Sequence, residues 1–228
     1  MIILIDKPGQ MTSFGVVARV RRVLSEQASA LAGAKRKVKV GHTGTLDPFA
    51  TGLLILLSEK DTKRSDEFLK LDKVYLAELE LGASSATGDP EGPITATAPI
   101  GFTPPSLDQV NAALQHFVGS IKQTPPIYSA IKIDGQRAYA LARKGKTPKM
   151  PERTIEIHSI ALADYAYPKL TIRVHCSSGT YIRTLAEDIG RQLGCGAYLT
   201  ALRREKIGDY SIQNAQSLDH FMCAQPLL

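Results

Sequence analysis

Residues 41–54 read GHTGTLDPFATGLL, and Asp47 is the only acid among them. A carboxylate between a Gly/Thr-rich loop and an apolar run, with Pro48 behind it, can serve as a nucleophile or as a base. Gly41, Gly44 and Gly52 permit tight turns and close approach of a ligand to the backbone, and Pro48 fixes the chain after the acid. The same spacing also suits a turn in which an aspartate caps its own loop, and His42 can be a simple loop hydrogen-bonder. Arg183 follows Ser178-Gly179-Thr180-Tyr181 at the start of an expected helix, where a guanidinium can hold a carboxylate through two parallel bonds. Tyr75, Tyr128, Tyr139 and Tyr181 lie beside basic residues or glycine, which suits stacking on an extruded base and equally suits half-buried packing.

Other chemistries lack their residues. There is no G-x-x-x-x-G-K-[ST], no G-x-G-x-x-G opening a helix and no G-x-S-x-G elbow. The five histidines form no i, i+4 pair and no CxxC occurs, so no metal site is expected. The three cysteines are an odd, widely spaced set, which fits a reduced, cytoplasmic setting and not a disulfide framework. No apolar run approaches the ~18 residues of a membrane span.

The elements that must position these residues follow from periodicity. Residues 2–7 read as a buried strand ending at Pro8. Phe14–Leu24 has helical spacing, with Thr12 or Ser13 as cap and Arg19, Arg21 and Arg22 on the polar face. Residues 26–34 are expected to form a loop, followed by the basic run Lys35, Arg36, Lys37 and Lys39. A short buried run covers 53–57, a helix 62–71, and an alternating strand KVYLAELELG. Ser106 and Gln109 form a capping box. Asp134-Gly135 reads as a hairpin turn, residues 136–152 as a basic excursion, 154–160 and KLTIRVHC as strands, and 180–194 as a helix. Arg203, Arg204 and Lys206 make a basic stretch before another strand, and Ser217 caps a last short helix. The irregular mixture favours an α+β fold in one domain. The chain has 228 residues and a net charge of +6, with a pI near 9.2, which suggests a polyanionic partner.

Five segments, in order, resemble the TruB family of tRNA pseudouridine synthases: IDKPGQMTS, GHTGTLDPFATGLL, DKVY, QTPPIYSAIKIDGQRAYALARKG and CSSGTYIRTLAEDIGRQLGCGAYLTALRR. The resemblance runs over residues 3–221. It implies the pseudouridine synthase fold, a central mixed, largely antiparallel sheet flanked by helices. It implies isomerisation of uridine 55 in the T-loop of tRNA, without cofactor or metal, and the chain is expected to act as a monomer. By position, Asp47 matches the catalytic aspartate, Tyr75 the tyrosine that stacks on the target base, and Arg183 the arginine that pairs with the carboxylate. Tyr181 and Leu202 match pocket residues, His42 the histidine supporting the displaced T-loop, and Lys7 and Pro8 the motif that buttresses the catalytic loop. Lys73 falls in the Lys-x-Tyr motif and is expected to contact the RNA. Lys35, Arg36 and Lys37 are expected to bind RNA together with a thumb loop at about 124–152.

Three departures stand out. The family glycine two residues after the DKP proline is Gln10 here, with Gly9 one place early. Residues 62–65, TKRS, are more charged than the usual helix start. Most bacterial members continue into a PUA domain, which is expected to be absent. An RNA chaperone with dispensable catalysis, or a guide-directed catalytic subunit, would share the basic surface.

Overall fold

The computed structural model describes residues 1–129, 131–133, 135–142, 145–146 and 148–223. In chain order the elements are β1 (Ile2–Lys7), α1 (Ser13–Ala32), β2 (Val40–His42), β3 (Thr51–Ser58), a 3-10 turn (Glu59–Arg64), α2 (Ser65–Leu69), β4 (Lys73–Leu81), β5 (Ala83–Ser85), β6 (Ile94–Ala96), α3 (Leu107–Gln115), β7 (Gly119–Gln123), β8 (Lys132–Ile133), β9 (Gln136–Arg137), α4 (Ala138–Ala142), β10 (Arg153–Ala166), β11 (Lys169–Cys176), α5 (Ile182–Gln192), β12 (Ala197–Ile207), β13 (Tyr210–Ser211), β14 (Gln216–Ser217) and α6 (Leu218–Cys223). They fall into two compact units, Met1–Tyr75 with Leu202–Leu228, and Leu76–Ala201. The fold class is α+β, built on mixed sheet with flanking helices.

In the first unit β1 pairs antiparallel with β3 and parallel with β14, while β2 pairs antiparallel with β3. The end of β12 runs parallel to β3, with Arg203 opposite Thr51 and Arg204 opposite Gly52. The apolar run after the Gly/Thr loop is therefore a central strand covered on both faces, which is why it does not alternate. Leu54 and Leu56 pack with Ile3, Ile5 and the α1 residues Val16, Val17, Val20 and Val23. Leu53, Ile55 and Leu57 pack with Phe68 and Ile207.

Helix α1 extends beyond the expected Leu24 to Ala32. Thr12 caps its start by accepting from Gly15 N, and Gly33 ends it in a left-handed conformation. Residues 26–32 are helical and not a loop, because their alanines favour helix and the following segment is tied back to them. Val38 N donates to Ser25 Oγ at 3.0 Å and Arg36 N to Ser29 Oγ at 2.8 Å. The helix expected at 62–71 is shorter, a 3-10 turn followed by the five-residue α2. Thr62, Lys63 and Arg64 stay in that turn, and Arg64 pairs with Glu67 of α2.

In the second unit β10 and β11 form a long antiparallel pair, and β7 joins β10. Leu170, Ile172, Val174 and Cys176 all face inward, as their alternation requires. The capping box at Ser106 and Gln109 opens α3, whose Val110, Ala113 and Leu114 are buried. Phe117 is half-buried and Val118 is 38% exposed, so the buried stripe ends with the helix. Strands β8 and β9 pair as expected around the hairpin; Asp134 itself lies outside the described residues. Strand β10 is longer than the expected 154–160, since β11 offers it a partner along most of its length. Ser217 accepts from His220 N at 3.1 Å and caps α6.

Candidate active site

The loop that carries Asp47 is held from three sides within the first unit. Lys7 closes β1 and is fully buried. Its ammonium donates to the carbonyls of Pro8 (2.8 Å), Met11 (2.6 Å) and Pro48 (3.2 Å), which offsets the cost of taking the charge out of water. Met11 N also donates to Pro48 O at 3.2 Å. At the start of α1, buried Ser13 accepts from Leu46 N at 2.8 Å and donates to Leu46 O at 3.0 Å. Arg204, 2% exposed, donates to the carbonyls of Leu53 (2.8 Å), Gly44 (3.1 Å) and Thr45 (3.4 Å). The peptides at 44–46 and 48 thus have fixed partners on both sides of Asp47, whose side chain is half-buried.

Glycine is required where β3 begins. Gly52 has φ 105°, and a Cβ there would lie 2.4 Å from Arg204 O. That close approach lets the arginine run against the strand and reach the loop. Gln10 adopts φ 58°, so the left-handed conformation falls two residues after the proline, and a glutamine bears it. Gly9 is not left-handed, and its added Cβ would meet only ordinary contacts.

Tyr75 is 8% exposed on β4 and Leu202 is 8% exposed on β12. His42 ends β2 half-buried, and its Nδ1 accepts from Gly44 N at 3.4 Å. Pro8 is exposed, as are Lys35, Arg36 and Lys37. Lys73 differs from its expected RNA-contacting place. It is 6% exposed, and its ammonium donates to the carbonyls of Leu69 and Leu71. It therefore closes the turn after α2, where backbone acceptors need a donor.

In the second unit Arg183, in the first turn of α5, is 5% exposed. It donates through Nη1 to Thr87 O at 2.9 Å and through Nη2 to Tyr128 O at 2.8 Å. Nη1 also lies 3.4 Å from Asp89 Oδ2. Asp89 Oδ1 accepts from Thr87 Oγ1 at 2.5 Å and from Glu91 N at 3.1 Å, so the acid is itself oriented. Tyr181 is set by Gln123, whose amide accepts from Tyr181 N at 2.8 Å and donates to Tyr181 O at 3.0 Å. The Arg153 guanidinium lies 5.3 Å from the Tyr181 ring centre. Burial, first, and the neighbouring Asp188 push Glu187 above the usual carboxylate range, against a smaller opposing effect of Arg183.

Residues 31–182 match the family model described as "TruB family pseudouridylate synthase (N terminal domain)", and residues 183–227 match "tRNA pseudouridylate synthase B C-terminal domain". The chain belongs to the TruB family. A relative from Cupriavidus pinatubonensis named tRNA pseudouridine synthase B is 45% identical over 221 residues, which is 96% of this chain and 66% of that protein. One of the same name from Phocaeicola vulgatus is 44% identical over 220 residues, 96% of this chain and 91% of the relative. Among solved structures, a chain of a Cbf5-Nop10-Gar1 complex matches with a TM-score of 0.69 and 26% identity over 96% of this chain and 54% of its own length. A chain of an H/ACA RNP bound to a substrate RNA containing 2'-deoxyuridine matches with a TM-score of 0.67 and 25% identity, over 96% of this chain and 51% of its own.

Four residues around the TruB motifs escape a reading of the sequence: Ser13, Asp89, Gln123 and Arg204. Ser13 reads only as a helix cap, Asp89 lies between Gly88 and Pro90 where a turn is the simplest reading, and Gln123 opens the QTPPIYSA segment with no role of its own. Arg204 reads as surface charge, although alternation from buried Leu202 would have turned it inward.

Proposed function

We propose that this TruB chain isomerises uridine 55 in the T-stem-loop of tRNA to pseudouridine, acting in the cytoplasm as a monomer. The observation that carries the reading is the placement of Asp47 in a loop clamped by Lys7, Ser13 and Arg204, in a chain whose family model names the activity. In the reaction the C1′–N1 bond breaks, the uracil turns, and a C1′–C5 bond forms; the C5 proton leaves and N1 gains one. Nothing is gained or lost overall, so a positioned nucleophile and a site that shields the detached base suffice. Asp47 supplies the nucleophile, Tyr75 the ring that faces the base, and Arg183 a fixed positive charge. Tyr181 and Leu202 take the base-contacting roles of the motif positions they match, His42 supports the opened loop, and Lys35, Arg36 and Lys37 meet phosphates. Extruding the uridine costs a few kcal/mol, offset by stacking and hydrogen bonds in the pocket.

The test is incubation of the purified chain with unmodified tRNA, and with an isolated T-stem-loop, followed by mapping of pseudouridine. Modification of that one uridine without added proteins is expected. Asp47→Asn should abolish the product and keep tRNA affinity within about threefold, since a loop carboxylate contributes little to phosphate-dominated binding. Absence of product with the wild-type chain overturns the proposal.

A further inference from the structure

The outer side of α1 carries a feature that extends the basic run at Lys35, Arg36 and Lys37. Phe14, Ala18, Arg21, Ser25 and Ser29 recur at helical spacing and share one side of the helix. Phe14 is 64% exposed, which is unusual for a phenylalanine that no core requires. The Arg21 guanidinium lies 5.8 Å from its ring centre. Arg22 is the next exposed residue. At the far end, Ser25 and Ser29 bind the backbone of Val38 and Arg36, so the exposed residues Lys35, Arg36, Lys37 and Lys39 run back along the same stripe. Glu26 is the single acid of α1, paired loosely with Arg22 at 3.9 Å. From Phe14 to Ser29 the stripe is roughly 22 Å long at 1.5 Å per residue.

Its position matters as much as its charge. Ser13, the residue before Phe14, holds both backbone groups of Leu46, and Leu46 precedes Asp47. The aromatic end of the stripe is therefore anchored to the loop of the candidate nucleophile, and the cationic end leads away from it. An exposed flat ring followed by guanidinium and ammonium groups matches a nucleic acid strand, a base on the ring and phosphates beyond it.

We propose that this stripe is the docking platform for the RNA strand that flanks the target uridine. Phe14 stacks on an unpaired base, and Arg21, Arg22, Lys35, Lys37 and Lys39 follow the phosphates. The inference rests on the tRNA reading above. The affinity of the full chain for an unmodified tRNA transcript, measured by filter binding over a salt series, tests it. Phe14→Ala and Phe14→Leu should each weaken binding at least about fivefold, because stacking needs the ring and leucine restores only apolar bulk. The double variant Arg21→Gln, Lys37→Gln should make the plot of log affinity against log salt shallower by about two, one for each lost phosphate contact. All three side chains named for change are exposed, so the melting temperature should hold, and it is measured alongside. Wild-type affinity in Phe14→Leu, or an unchanged salt slope in the double variant, overturns the platform. A chain that binds with the expected pattern yet forms no pseudouridine upholds the platform and overturns the function instead.

Discussion

Arg183 and Asp89 form a buried ion pair in which Nη1 lies 3.4 Å from Oδ2 and each side chain is 5% exposed. Breaking a buried ion pair by removing one partner costs about 3–5 kcal/mol. Asp89→Ala should lower stability by an amount in that range, read from the urea midpoint, and pseudouridine formation should fall with it. Asp89→Asn keeps an acceptor for Thr87 and Glu91 and should lose less stability. An alanine variant as stable as the wild type would show that the ion pair adds no net stability.

Arg204 makes a comparable prediction for the Asp47 loop. Arg204→Met takes a donor from the carbonyls of Gly44, Thr45 and Leu53, and each buried acceptor left unpaired costs about 1–3 kcal/mol. A loss of roughly 3 kcal/mol or more is expected in urea denaturation, with a larger loss in pseudouridine formation than in tRNA affinity. Arg204→Lys should not rescue either property, because a single ammonium cannot reproduce the fork.

Gln10 carries left-handed backbone at φ 58°. That conformation costs a non-glycine residue about 1–2 kcal/mol, while glycine adds about 0.5–1 kcal/mol of unfolded-state entropy. Gln10→Gly should therefore stabilise the chain modestly, and Gln10→Ile should destabilise it clearly. Thermal melting of the two variants decides the matter, and a glycine variant that melts lower removes the strain account.

Glu187 introduces a pH dependence. Burial and Asp188 raise its folded pKa above the ordinary 4.5, so the folded state favours the protonated form. The stability linked to this group is complete below about pH 4.5 and is lost as pH rises through the raised folded value. Glu187→Gln stays neutral and escapes that loss. Its melting temperature should match the wild type in acid and exceed it increasingly toward neutral pH; a constant gap across the series would contradict the shift.

Strand β11, strand β4 and the capping box of α3 were legible in the residues, because each depends on alternation or on neighbours three residues apart. The five ordered motifs likewise marked the TruB family without coordinates, since the residues of each motif lie close together in the chain. The far half of α1 was misread as a loop: its alanines favour helix, but the contacts of Ser25 and Ser29 with a backbone segment beyond Gly33 do not show in the chain order.

The same division holds for the site. The residues alone singled out Asp47, with Arg183 and four tyrosines as further candidates, and the resemblance to the TruB motifs picked Tyr75 among them. Only the tertiary structure turned Arg204 and Lys73 inward onto carbonyls, set Asp89 beside Arg183, and made Gln10 the left-handed residue. A cation in a sequence reads as surface charge whether it meets water or a buried carbonyl, and the partner that decides between them is supplied by a strand or loop far away in the chain.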